Sequence, residues 1–172
     1  ASKALNKNVA TSFKHTAPAG VATSEPILET EKKIYYLDNY DINEINKSLS
    51  SRAFLRARYI DPLSSYGDFI AISCIVDETC AKLIKREISD GIIAEGYTNE
   101  ALEILKSKKG GQYTIIVGNK NINVDCVEYK EIMGLALSQK CNNVIIDKHI
   151  VNNIPSKHNY IPENIINDII LA

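Results

Sequence analysis

Phe69-Ile70-Ala71-Ile72-Ser73-Cys74 is the stretch on which the fold turns. It is apolar or small throughout, follows a turn rich in small residues (Ser64-Ser65-Tyr66-Gly67-Asp68), and reads as a buried strand. Asp77 then suits a helix N-cap, with Glu78 in the first turn, Cys80, Ala81 and Ile84 on one face, and Lys85 and Arg86 at the far end. Ser89-Asp90-Gly91 turns into a short strand at 92–94. Thr98 caps a further helix that ends at Gly110-Gly111, and 113–117 is again β-branched or apolar. Strands that alternate with short helices, and that run apolar without alternation, predict an α/β domain with a sheet covered on both faces, a three-layer α/β/α arrangement.

Upstream of that core, residues 3–7 read as the tail of a helix and 9–13 as a strand leading into Lys14-His15. Residues 21–30 read mostly as loop and 33–37 as a strand. Asp41, with Glu44 at the capping-box position, predicts one helix through Ile42, Ile45, Leu49 and Ala53. Arg52, Arg56 and Arg58 near its end suit the helix dipole, as Lys106, Lys108 and Lys109 suit the next one. Downstream, 131–137 and 143–146 are short strand candidates. Pro162 opens a final helix with Ile165, Ile166, Ile169 and Ile170 on one side. The start on Ala1 and the stop inside that helical pattern give the expectation of a fragment truncated at both ends, one domain's worth of chain.

The 172 residues are 45% apolar and 24% charged, with a net charge of -1. That is the composition of an ordinary globular protein and offers no excess cation for a nucleic-acid backbone. No run approaches the roughly 18 apolar residues of a membrane span, and the first residues carry no signal-peptide pattern. Cys74, Cys80, Cys126 and Cys141 show neither C-x-x-C nor a Cys/His cluster, so free thiols in the cytoplasm are expected and no metal site.

Lys14-His15 places a cation and a titratable imidazole where a strand gives way to a Pro/Gly turn, a setting for acid–base chemistry. Read alone, the pair is weak evidence, and a solvated strand end is the better account of it. Neighbours in a strand point to opposite faces, so both can serve one ligand only if the backbone leaves strand geometry between them. Pro18 and Gly20 make such a break credible. His149 and His158 read as surface residues.

Five segments in register resemble one family. They are Ser12-Phe13-Lys14-His15-x-x-Pro18-Ala19-Gly20, Arg56-Ala57-Arg58, Ser64-Ser65-Tyr66-Gly67-Asp68-Phe69-Ile70-Ala71, Ser89-Asp90-Gly91-Ile92-Ile93-Ala94-x-Gly96-Tyr97 with the Glu100-Ala101-Leu102-x-Ile104-Leu105 helix, and Leu137-Ser138-Gln139-Lys140-x-Asn142-Asn143. Together they look like the formyltransferase half of the bifunctional purine biosynthesis family, which joins aminoimidazole carboxamide ribonucleotide (AICAR) formyltransferase to inosine monophosphate (IMP) cyclohydrolase. The detail is closer to the eukaryotic branch. The resemblance implies a cytidine-deaminase-like subdomain, the first of the formyltransferase, in a homodimer with shared active sites. It implies formyl transfer from 10-formyltetrahydrofolate to the 5-amino group of AICAR.

On the same resemblance His15 matches the proton acceptor, Lys14 the transition-state stabiliser, and Gly67 and Asp90 the contacts to the ribonucleotide. The deaminase zinc pattern is absent. Ala17, Pro62, Glu95 and Cys141 depart from the family's Ser, Arg, Pro and Arg. A non-catalytic nucleotide- or folate-binding module is the alternative reading.

Overall fold

A computed structural model describes residues 1–119, 127–142 and 144–172. In chain order come α1 (Ser2–Leu5), a hairpin of β1 (Val9–Lys14) and β2 (Ala17–Thr23), α2 (Ile42–Lys47), α3 (Leu49–Tyr59), β3 (Asp68–Val76), α4 (Glu78–Arg86), β4 (Ser89–Tyr97), α5 (Asn99–Lys106) and β5 (Thr114–Val117). A second hairpin of β6 (Val127–Ile132) and β7 (Leu135–Lys140) follows, then α6 (Glu163–Leu171). The first five strands make one mixed sheet, ordered β2-β1-β3-β4-β5. β1 is antiparallel to both neighbours, whereas β3, β4 and β5 are mutually parallel. This is an α/β fold.

The expected caps set the helix starts. Asp77 accepts from the Cys80 amide at 2.9 Å, Thr98 from the Ala101 amide at 3.2 Å and Asp41 from the Asn43 amide at 2.8 Å. The helix expected from Asp41 onward is two helices. Ser48 is extended at φ -97°, and its hydroxyl accepts from the Ser51 amide at 3.0 Å, so it ends α2 and caps α3. No capping box forms at Asp41, and Glu44 pairs with Lys47.

Burial alternates along the central strands. Ala10, Ser12, Ile70, Ile72, Ile92 and Ala94 point to the face covered by the helices and are buried. There α3 lies against β2 so closely that a Cβ on Gly20 would stand 2.0 Å from the Ala57 carbonyl oxygen. Thr11, Phe13, Ala71 and Ile93 point to the other face and are only half-buried, around a hollow of about 510 Å³. Strands β3, β4 and β5 follow one another without a reversal of order. Crossovers of one hand therefore put α4 and α5 on the same side, where they pack together. The expected second helical layer is not seen among the described residues; on this face α1, which α6 touches, borders the hollow through Ser2 and Lys3.

Other expectations shift. The loop expected after residue 20 begins later, because 17–23 pair with β1 as β2. Residues 33–37 form turns, with Tyr35 and Leu37 buried, and not a strand. The strands expected at 131–137 and 143–146 are replaced by β6 and β7 around a tight turn at Met133 and Gly134, both with positive φ. Residues 144–147 are not a strand, and Asn143 lies outside the described residues. Cys141, just beyond β7, is disulfide-bonded, which overturns the expectation of free thiols at that position; spacing along the chain does not reveal which segments the fold brings together. Cys80 is a free, fully buried thiol, and Cys126 lies outside the described residues.

Candidate functional site

Because β1 runs antiparallel to β3, its last residues lie beside the first residues of β3 and, one strand further, of β4. Phe13 pairs with Phe69, which pairs with Gly91, and the Gly67 amide donates to the Ile88 carbonyl at 2.9 Å. Lys14, His15, Gly67 and Asp90 thus stand along one rim of the sheet. Open parallel sheets usually bind ligands beyond the carboxyl ends of their strands. Here the antiparallel β1 gathers the chemistry-bearing side chains at the amino ends of β3 and β4.

The Lys14 ammonium donates to the Tyr66 carbonyl and, at 3.3 Å, to that of Gly67. Gly67 has φ +71°, the left-handed region that favours glycine, and a Cβ there would stand 3.3 Å from Lys14 Nζ. His15 is exposed in the two-residue connection of the hairpin and has φ 55°. The chain leaves strand geometry immediately after Lys14, which meets the condition set by the adjacent pair. The break comes from the hairpin turn. Pro18 and Gly20 instead lie within β2, opposite an irregularity at Ser12 and Phe13.

Asp90 is exposed and accepts from Lys109 Nζ at 2.7 Å. That bond outweighs the opposing effect of burial and, with the fields of Lys109, Lys14 and Lys108, holds its carboxyl below the usual range. Lys109 has φ 51°, a conformation uncommon for a residue with a side chain. Its neighbour Lys108 is buried, donates to the Glu87 carbonyl at 2.6 Å and lies 4.8 Å from the centre of the Tyr113 ring. The dipole account of these lysines therefore misses their partners.

The same holds for the arginines. Arg56 forks onto Glu31, 2.7 Å at the closest, and binds the Glu25 and Pro26 carbonyls. Arg58 is buried. Its Nη1 donates to Asp68 Oδ1 at 2.7 Å and to the Ser65 carbonyl at 2.8 Å, its Nη2 to the Ile88 carbonyl at 3.1 Å, and its Nε to Glu87 Oε2 at 3.2 Å. The second Asp68 oxygen accepts from the Ser12 hydroxyl at 2.6 Å. Burial pushes the Asp68 carboxyl up, opposed by Ser12 and Arg58. Sequence reasoning missed this network, although Ser12, Arg58, Ser65 and Asp68 all fall in the segments that carry the family resemblance.

The departing positions other than Ala17 lie away from the rim. Ala17 pairs with Lys14 across the hairpin, Pro62 is exposed in the turn before β3, and Glu95 borders the open-face hollow. His149 and His158 are exposed. Among the described residues no three His, Cys, Asp or Glu side chains are grouped to hold a metal, and no helix is long and apolar enough to cross a membrane. The rim offers a cation, an imidazole and a carboxylate with a counter-ion, a set able to take a proton, stabilise an oxyanion and bind hydroxyls.

A family model described as the AICARFT/IMPCHase bienzyme matches residues 1–172. The bifunctional purine biosynthesis protein PurH of Leptospira biflexa is 33% identical over 104 residues, covering 60% of this chain and 16% of that protein. PurH of Bartonella tribocorum is 29% identical over 135 residues, covering 78% and 21%, and that of Clostridium acetobutylicum 26% over 144 residues, covering 84% and 24%. The chain thus matches between 16% and 24% of the length of these relatives.

Proposed function

The chain belongs to the AICARFT/IMPCHase bienzyme family, and from that premise we propose that it supplies one wall of an AICAR formyltransferase active site in de novo IMP synthesis. The co-substrate is 10-formyltetrahydrofolate, and the formyl-AICAR product passes to the cyclohydrolase activity named in the family. The chain is the first, cytidine-deaminase-like α/β/α subdomain of the formyltransferase, acting in a cytoplasmic homodimer whose partner completes the site.

The 5-amino group of AICAR is conjugated to its ring and is a poor nucleophile. As its nitrogen bonds to the formyl carbon, His15 takes the amine proton and the carbonyl electron pair moves onto oxygen. Lys14 stabilises that oxyanion. Collapse of the oxyanion breaks the bond to N10 of the folate, which leaves with the proton that His15 took from the amine. Gly67 lets the ribonucleotide approach the backbone, and Asp90 accepts hydrogen bonds from it.

The observation that carries this reading is the left-handed turn at His15, which frees the imidazole from the strand alternation that would otherwise set it opposite Lys14. The test is formyl transfer by the full-length protein beside its His15→Ala variant. Turnover is expected to fall by about 10²–10⁴-fold with AICAR affinity largely kept. AICAR binding without transfer in the unmodified protein would favour a non-catalytic binding module.

A further inference from the structure

We propose that the buried Arg58–Asp68 pair is the positioning element of the rim site, holding the ends of β1, β3 and β4 in the relation that ligand binding and transfer require. The inference rests on the functional reading above. The four rim residues lie on three chain segments, and each segment has a member of the network within two residues. Ser12 precedes Lys14 by two positions, Asp68 follows Gly67, and the Ile88 carbonyl precedes Asp90 by two. Asp68 reaches β1 through Ser12 and α3 through Arg58, while Arg58 reaches the entry to β4 through the Ile88 carbonyl. That carbonyl also accepts from the Gly67 amide.

Every side chain at the centre of this network is buried: Ser12, Arg58, Ser65 and Asp68 are each at most 3% exposed. None of them presents to the open rim, so the pair acts through other residues and not on a ligand. A buried ion pair is a weak source of stability, and an apolar cluster of the same volume commonly does as well or better. What the guanidinium fork supplies instead is direction. Its planar donors hold the Asp68 and Glu87 carboxylates and two carbonyls in one geometry. The pair therefore fixes register among the segments that must meet at the rim.

The test uses the full-length protein with Arg58→Met/Asp68→Leu, Arg58→Lys and Ser12→Ala. The double variant is expected to melt at or above the unmodified protein, while kcat falls by about a hundredfold through misplacement of Lys14 and His15. Arg58→Lys keeps the charge without the fork and recovers only part of that loss. The amide resonances of His15, Gly67 and Asp90 are expected to shift in the double variant while those of β5 stay in place. A folded double variant with unchanged kcat, KM and rim resonances overturns the inference. If the double variant does not fold, unchanged kinetics and resonances in Ser12→Ala overturn it. If the unmodified protein transfers no formyl group, the functional reading fails separately, and the resonances still decide whether the pair sets the rim.

Discussion

Asp90 and Lys109 form the ion pair most open to solvent at the rim, and the carboxylate's behaviour reports on it directly. Replacing Lys109 by Met removes the main cause of the depressed Asp90 pKa. The carboxyl is then expected to titrate closer to its ordinary value, as followed by its side-chain carbonyl resonance in an NMR titration. The sign is fixed by the direction of the shift: the paired carboxylate contributes fully above the unfolded pKa, and that contribution is lost as pH falls through the lower folded value. In the Met variant the loss has largely disappeared, so stability depends less on pH in the acidic range. At Gly67, substitution by Ala forces a Cβ into a left-handed position and toward Lys14 Nζ. We expect a loss of about 1–2 kcal/mol in urea unfolding, together with weaker AICAR binding. Lys14, His15, Gly67 and Asp90 are proposed as site residues on family resemblance; their types and spacing alone allowed a strand end and two turns. Lys109 and Arg58 were not legible, because a charge near a helix end has a sufficient local explanation until tertiary structure supplies its partner.

Helix starts were the clearest elements in the sequence, since a cap is a local event: Asp41, Asp77 and Thr98 all cap as expected. The elements missed are those whose signal is not local. Ala17-Pro18-Ala19-Gly20 reads as a turn, yet Pro18 and Gly20 sit in β2, where the missing side chain of Gly20 is what the packing of α3 needs. The break at Ser48 hides inside a continuous helical period, because the apolar positions on either side keep the spacing of one helix. Gly20 is the point at which α3 and the hairpin can be prised apart. Gly20→Ala drives a methyl into the Ala57 carbonyl, and chemical denaturation is expected to show a destabilisation of about 1–3 kcal/mol. A Ser48→Ala change removes the α3 cap and a 2.9 Å bond to Asp77, with an expected cost of about 1–2 kcal/mol in the same assay.

At the scale of the molecule, the α/β class followed from the alternation of strands and helices between residues 69 and 117. Which face the helices would cover did not follow, because runs such as Ile92-Ile93-Ala94 are apolar at both alternating positions. Crossover handedness and strand order decide that, and both are properties of the assembled sheet. Cys80 lies at the centre of the covered side, wholly buried, and burial raises its thiol pKa. Its reaction with a thiol reagent is therefore expected to proceed only as fast as global opening, and to report the same free energy as denaturant unfolding. Labelling much faster than that would mean that α4 opens locally.

The antiparallel β1 has a last consequence, for the order in which the molecule forms. The hairpin of β1 and β2 closes through near neighbours, and β3 to β5 grow through successive crossovers. The seam between these two units joins residues such as Ser12 and Asp68, 56 positions apart. Contacts so distant in the chain carry the largest loop-closure cost and tend to form late. The rim lies across that seam, with Lys14 and His15 on one side and Gly67 and Asp90 on the other. A partly folded chain can hold either half of the chemistry, but both halves meet only in the finished sheet.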